Sequence, residues 1–272
     1  MKNHFFYAYS GNKREEADKL YNIIDLNNIK YIVEPFCGSC AISYYISLKH
    51  AKQYKYILND NNKSLIEMFK ILKNQDKVKE TEDIINNYVD EINKIKDEKQ
   101  RKLYYDSIVK LNTLESYIFI HKFYSIRAGL CKLDKNKDGN LIDYKKFYFK
   151  DYPIYDFFIN EDIELYNIDG IEFYNKYKDN KEAFIFMDPP YIATNNTWYN
   201  NGGELGNMNI YEYLYNNPII KQKAKIYLIL ENNWIIKLLF KKNIIDQFNK
   251  LYQPSKKSTT HLIISNIIKK IT

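Results

Sequence analysis

A chain of 272 residues with 45% hydrophobic and 28% charged residues, 8 Gly and 6 Pro is not collagen-like, low-complexity or wholly disordered. Its length suits one large α/β domain or two small ones, burying roughly three quarters of the surface of the unfolded chain without disulfide or metal staples. The balance of 41 basic against 34 acidic residues, net +7, suggests a polyanionic partner. Only Arg14, Arg101 and Arg127 among the basic residues are arginine, in a chain crowded with Asn, Ile and Tyr. AT-rich coding therefore accounts for part of the lysine, and the charge permits nucleic-acid binding without requiring it.

In chain order, Arg14 to Leu26 has helical spacing at Ala17, Leu20, Ile23 and Ile24. Lys30 to Glu34 predicts a short buried strand ending at Pro35. A helix over Ala41 to Leu48, a strand over Tyr54 to Leu58 and a helix over Ser64 to Leu72 complete a βαβ unit, the seed of a parallel sheet. Asp76 to Tyr124 reads as charged and helical, and Arg127 to Glu161 as polar, turn-rich and aromatic. The α/β rhythm returns with a strand at Glu164 to Asn167, a helix around Ile171 to Tyr177 and an apolar strand Ala183 to Met187. Strands follow at Lys225 to Leu230, Ile244 to Tyr252 and His261 to Ile268, the last two forming a hairpin through Gln253 to Ser258. The longest apolar runs, such as Trp234 to Phe240, fall far short of the ~18 residues a membrane span needs. Met1 to Tyr9 has neither the apolar core nor the cleavage site of a signal peptide. A cytoplasmic or otherwise intracellular protein without a membrane segment is expected.

The strongest chemical signal is Asp188-Pro189-Pro190-Tyr191, directly after the apolar strand, because open α/β sheets bind ligands at strand C-terminal ends. Two prolines stiffen the loop and remove two N–H donors. A carboxylate, two carbonyl acceptors and an aromatic face remain, which suits a planar group carrying an NH₂, such as adenine. A stiffened turn with a solvated Asp is the plainer alternative. A second signal is Glu34-Pro35-Phe36-Cys37-Gly38-Ser39-Cys40, where Gly38 allows close backbone approach and a helix N-terminus follows. Asp60 ends the next strand, and an acid about 20 residues past a glycine turn is placed to bond ribose hydroxyls. With one glycine in place of three, the turn suits a nucleoside without phosphates better than a dinucleotide.

Cys37 and Cys40 form a C-x-x-C, open to a redox pair or half a zinc site. The four histidines are scattered, and no metal is expected. Asp134 to Asn140 mimics the start of an EF-hand loop, but Lys145 stands where a bidentate Glu is needed. A Gly-turned tip is the better reading.

Together the two motifs resemble the Dam-type N6-adenine DNA methyltransferases, which use S-adenosylmethionine (SAM) and release S-adenosylhomocysteine. Tyr9-Ser10-Gly11-Asn12-Lys13 is similar to the family's N-terminal SAM-binding segment, and Glu34 to Gly38 to its first SAM motif. Asp60 resembles its ribose-binding acid, and Ile168-Asp169 the segment beside the SAM adenine. Leu251-Tyr252 and Thr260 to Asn266 look like its closing hairpin. The resemblance covers most of residues 5–75 and 164–268. It departs at Cys40, where many relatives carry a second glycine, and at Ser125 to Leu130, which preserve only part of an Asn-Arg stretch.

The resemblance implies a Rossmann-like SAM-dependent methyltransferase core of mixed, mostly parallel α/β structure over residues 1–72 and 163–272. A mostly helical target-recognition domain is inserted over residues 73–162. The implied catalytic set is Asp188, Pro189, Pro190 and Tyr191, acting on an adenine flipped out of duplex DNA. The implied cofactor set is Tyr9, Lys13, Glu34, Phe36, Gly38, Ser39, Asp60, Ile168 and Asp169. Arg127 can read a guanine edge or be merely exposed or ion-paired. Lys132, Lys135 and Lys137 can neutralise phosphates or form a solvated face. Trp198 and Tyr199 can close over the base or pack their loop on the core. A monomer or weak dimer is expected. RNA as the methyl acceptor and a non-catalytic SAM- or DNA-binding subunit are the competing readings.

Overall fold

The computed structural model describes residues 4–9, 11–123, 125–127, 130–132, 136–191, 204–252 and 257–267. The chain divides into two compact units, residues 12–66 with 161–272 and residues 1–11 with 67–160. The division after Ile66 falls inside a helix (Lys63–Ile71), and residues 1–11 group with the second unit.

The first unit is built on a seven-stranded sheet of β1 (Tyr31–Glu34), β2 (Lys55–Asn59), β5 (Asp162–Tyr166), β6 (Ala183–Met187), β7 (Lys225–Glu231), β8 (Ile244–Tyr252) and β9 (Lys257–Ser265). The order is β5-β2-β1-β6-β7-β9-β8. The first five strands are parallel, and β9 runs antiparallel to both β7 and β8. This is the mixed, mostly parallel Rossmann-like core that the motif order implies. β6 and nearly all of β1 and β7 are buried, as both-face coverage of a parallel sheet demands. Their aliphatic side chains Val33, Ile185, Ile226 and Leu228 pack with Phe173 and Tyr174 of α8 (Gly170–Tyr177) and Ile210 and Leu214 of α9 (Glu204–Asn216). Each such side chain removed from water contributes about 1.5–3 kcal/mol.

Local chemistry sets the element ends. α1 (Ala17–Ile23) is shorter than the periodic stretch, because Ile24 is extended and the Asp25 carboxylate accepts from Asn27 N, an Asx turn that competes with helix. β9 starts at Lys257 and stops at Ser265, shifted from the expected strand. The Asn266 side chain, just beyond its end, accepts from Ile226 N. α10 (Trp234–Phe240) is a helix where only an apolar run was noted, started by Asn233 accepting from Ile236 N.

The second unit holds α4 (Gln75–Lys94), α5 (Glu98–Leu111), α6 (Leu114–Phe123), the antiparallel pair β3 (Ser125–Arg127) and β4 (Leu130–Lys132), and α7 (Ile154–Asn160). Asn74 and Asp97 cap α4 and α5. Arg101 is wholly buried and donates to the carbonyls of Ile95 and Ile142, satisfying backbone groups of two chain segments at once. Helix α7 lies in a stretch read as turns, yet Ile154, Phe157 and Phe158 recur at helical spacing and are buried. The described part of the EF-hand-like segment, residues 136–140, is a turn. Asn136 Oδ1 accepts from Asp138 N and Asn140 N, and Gly139 takes φ +82°.

α2 (Ala41–Lys49) is set against β1 by a buried carboxylate. Glu34 Oε1 accepts from Ser43 N at 2.9 Å and from Ser43 Oγ, so an acid from the strand serves the first turn of the following helix. Burial still raises Glu34 to about 7. The unfolded chain ionises it near 4.5, so the stability carried by the protonated form is present below that pH and lost as pH rises to about 7. Glu34→Gln keeps the acceptor and removes the titration. In thermal melts its Tm relative to the parent is expected to rise between about pH 5 and pH 8; a constant difference would refute the raised value.

Candidate active site

Strand order places the chemistry. Residues after β5, β2, β1 and β6 all emerge at one sheet edge, and the order reverses between β1 and β6, the switch point where such sheets bind ligands. Ile168 and Asp169 follow β5, Asp60 follows β2, the turn 35–40 follows β1, and Asp188 follows β6.

The β1 turn is held from below. Asn59, wholly buried, donates through Nδ2 to the carbonyls of Pro35 and Ile168 at 2.9 and 3.0 Å, and accepts from Ile168 N. One amide thus joins the turns after three strands. Asp60 Oδ2 accepts from Gly38 N at 2.9 Å, and its Oδ1 from Asn62 N. Desolvation raises Asp60 above the usual carboxylate range. Gly38 has φ +47°, the left-handed region where glycine carries no Cβ penalty. Cys40 adopts the same region at φ +51° and is wholly buried, so its side chain fills space that a second glycine would leave open. Burial raises both the Cys37 and Cys40 thiols, Cys37 well above its ordinary value. Unbridged and protonated, they are poor redox nucleophiles. Among the described residues no group of three His, Cys, Asp or Glu is arranged to hold a metal ion. Phe36 lies against Gly170: a Cβ added there would stand 2.3 Å from the ring. Asp169 Oδ1 caps α8, accepting from Ile171 N and Glu172 N, while Ser39 is buried.

The Asp188 side is an ionic cluster. Lys13 is buried and pairs with Asp188 Oδ2, while the Tyr191 hydroxyl donates to Asp188 Oδ1 at 2.8 Å. The Lys13 ammonium also lies 5.6 Å from the Tyr191 ring centroid. His261 Nδ1 is 3.0 Å from the Tyr191 hydroxyl. Lys250 bonds the Asn12 carbonyl and pairs with Glu16 at 3.2 Å. Desolvation, then the charge of Lys13, lowers both Lys250 and His261, the latter to about 4. A buried charge needs a partner, and here each lysine has an acid.

Sequence reasoning thus finds Lys13, Asp188 and Tyr191, which meet, and Gly38 and Asp60, which meet. Pro189 is buried and Pro190 half-buried beside them. Tyr9 belongs to the second unit, its ring edge-on to Phe5 at 5.6 Å. Arg127 and Lys132 lie on the paired strands β3 and β4, and Lys137 is exposed in the turn 136–140. Lys135, Trp198 and Tyr199 lie outside the described residues. Asn59, Glu16, Lys250 and His261 were missed. Asn59 had a signal, a polar residue ending a buried strand; the others had none, because their partners are remote in sequence.

An open, mostly parallel sheet whose switch point carries a glycine turn, an acid on the adjacent strand and Asp-Pro-Pro-Tyr one strand further on defines a SAM-dependent methyltransferase. The sequence matches, over residues 9–260, the model of the D12 class N6 adenine-specific DNA methyltransferases. The chain belongs to that family, the class of enzyme its motifs resemble, and is an adenine-specific DNA methyltransferase. It is 26% identical over 248 residues to the Type II methyltransferase M.MjaIII of Methanocaldococcus jannaschii, covering 83% of this chain and 78% of that one. Two solved structures are similar at 8% identity. The N-terminal domain of human METTL16 in complex with SAH has a TM-score of 0.35, covering 93% of this chain and 68% of that one. The rRNA methyltransferase aviRa from Streptomyces viridochromogenes has a TM-score of 0.39, covering 96% and 89%.

The site chemistry fits SAM. Asp60 keeps lone pairs beyond the two it spends on backbone amides, and Gly38 opens the turn beside it. Gly170→Ala forces the Phe36 ring aside, and SAM affinity by calorimetry is expected to fall about tenfold, or 1.4 kcal/mol. Unchanged affinity would mean that the ring does not line the site.

Proposed function

We propose that the protein methylates one adenine within a defined DNA sequence, as a Type II methyltransferase like the one named for its Methanocaldococcus jannaschii relative. Carrying this reading is the position of Asp188: a carboxylate at the end of β6, beside the switch point, with each oxygen already oriented by a fixed donor.

The exocyclic amine of adenine is a weak nucleophile because its lone pair is delocalised into the ring. Asp188 and the Pro189 carbonyl hold its two N–H groups and so direct the lone pair outward. A carboxylate has about four lone-pair sites, so Lys13 and Tyr191 leave room for that bond. SAM supplies the methyl group in activated form. Asp60 binds its ribose, Gly38 and Ser39 give the turn that approaches it, and Phe36, Ile168 and Asp169 border its adenine. Glu34 supports this turn from inside, its carboxylate engaged by Ser43. The protein contributes position and electrostatics, with no covalent intermediate.

A paired adenine cannot reach this site, so it is flipped out at a cost of a few kcal/mol. Stacking on Tyr191 returns about 1–3 kcal/mol; Lys13 lies over one face of that ring, and the base takes the other. The inserted residues 73–162 read the target, with Arg127 on base edges and Lys132, Lys135 and Lys137 on phosphates.

Asp188→Ala is expected to lower single-turnover methylation of DNA at least roughly 10²-fold with SAM affinity retained. Full activity in that variant, measured with isotope-labelled SAM and digestion to nucleosides, would sink the mechanism. Hydrogen bonds to a charged group contribute about 1.5–3 kcal/mol. Asp60→Ala is therefore expected to weaken SAM roughly ten- to hundredfold in calorimetry. Asp60→Asn, still accepting from Gly38 N, separates loss of the charge from loss of the turn. Unchanged affinity in both variants would refute the ribose assignment.

A further inference from the structure

Between Asp188 and His261 stands one hydroxyl. Tyr191 donates to Asp188 Oδ1 at 2.8 Å, and His261 Nδ1 lies 3.0 Å from the same oxygen. A phenol carries one proton, and an ionised carboxylate has none to give. With that proton committed to Asp188, the bond to His261 has to be donated by the imidazole. We propose that His261 is a positioning residue for methyl transfer, held as the neutral Nδ1–H tautomer so that Tyr191 is obliged to spend its proton on Asp188. The proposal rests on the reading that Asp188 receives the adenine amine.

The surroundings hold the ring in that role. His261 is wholly buried and sits in register with Glu231 of β7, so it is fixed to the sheet whose strand β6 leads into Asp188. Its ring meets Tyr191 edge-on at 4.9 Å and 90°, and Phe248 at 5.2 Å, which restricts rotation. Charged groups acting on it are Lys13, Asp188 and Lys250. Burial and the two lysines disfavour the imidazolium, in agreement with a neutral ring. The opposite tautomer would present a lone pair at Nδ1. Tyr191 could then turn its proton to His261, and Asp188 Oδ1 would lose the donor that sets the carboxylate plane. The choice of tautomer on β9 is thereby transmitted to the orientation of an acceptor after β6.

Nitrogen NMR on the histidine-labelled full chain reads the tautomer directly, the four histidines being assigned by substituting the other three in turn. Protonated Nδ1 and unprotonated Nε2 at His261 are expected; the reverse overturns the proposal. Kinetics tests the consequence. His261→Asn places an amide N–H near the Nδ1 position, whereas His261→Gln places one near Nε2 and His261→Phe places none. His261→Asn is expected to keep kcat within a few-fold, and the other two to lose roughly ten- to hundredfold. SAM affinity stays unchanged in all three. In a Tyr191→Phe background, His261→Phe is expected to cause no further loss. Equal losses in the Asn and Gln variants, a fully active His261→Phe, or losses that multiply with Tyr191→Phe each overturn the positioning role. If His261→Phe fails to fold, the Asn and Gln pair and the tautomer of the parent protein decide. Asp188→Ala measured alongside separates the two ways of failing: its retained activity removes the reading of Asp188 itself. An inactive Asp188→Ala beside a fully active His261→Phe removes only the role of His261.

Discussion

Parallel strands share a direction, so their carboxyl ends meet at one edge of the sheet, and the whole candidate site hangs on that constraint. The chain leaves β1 toward β2 and β5 on one side and returns to β6 on the other. Loops on the two sides of this divide run apart and leave a crevice between them. Asn59 matters because it fixes the loops on one side of that divide. Its side chain joins the turn after β1 to the segment after β5, with three hydrogen bonds made where unmade ones would be costly. The glycine turn and the acid of the neighbouring strand are held before any ligand arrives.

Electrostatics on the Asp188 side follows from burial. Two lysines and two acids lie close together where solvation is poor, and each ammonium finds a carboxylate. His261 stays neutral beside them for the same reason. The second unit meets its own polar demands separately, through Arg101 on two carbonyls and Asn86 on the Phe147 backbone.

The periodic and punctuated parts of the fold were legible. Ala183–Met187 is an unbroken apolar strand with turn residues on either side, and it forms as read. Helices α9 and α10 were not read, because Glu204–Asn216 and Trp234–Phe240 lack strong amphipathic order, and their packing partners lie on other elements. α1 ends early because an Asx turn at Asp25 outweighs three further residues of apolar spacing.

By itself the sequence determined the chain order of the seven strands of the main sheet, the Asp-Pro-Pro-Tyr loop, the glycine turn and the acid beyond it, since those depend on neighbours within a few residues. It thereby determined the class of chemistry. Only the tertiary structure decided which groups stand around Asp188. Lys13, Tyr191 and His261 are separated by most of the chain, and no local pattern relates them. Parallel pairing of β6 with β7 and antiparallel pairing of β7 with β9 bring Tyr191 and His261 together, and Lys13 joins them through its ion pair with Asp188. Glu34 changed its meaning in the same way. Read locally it belongs to a cofactor motif; in the fold its carboxylate is buried and engaged by Ser43 of α2, because a helix N-terminus happens to face it across the turn.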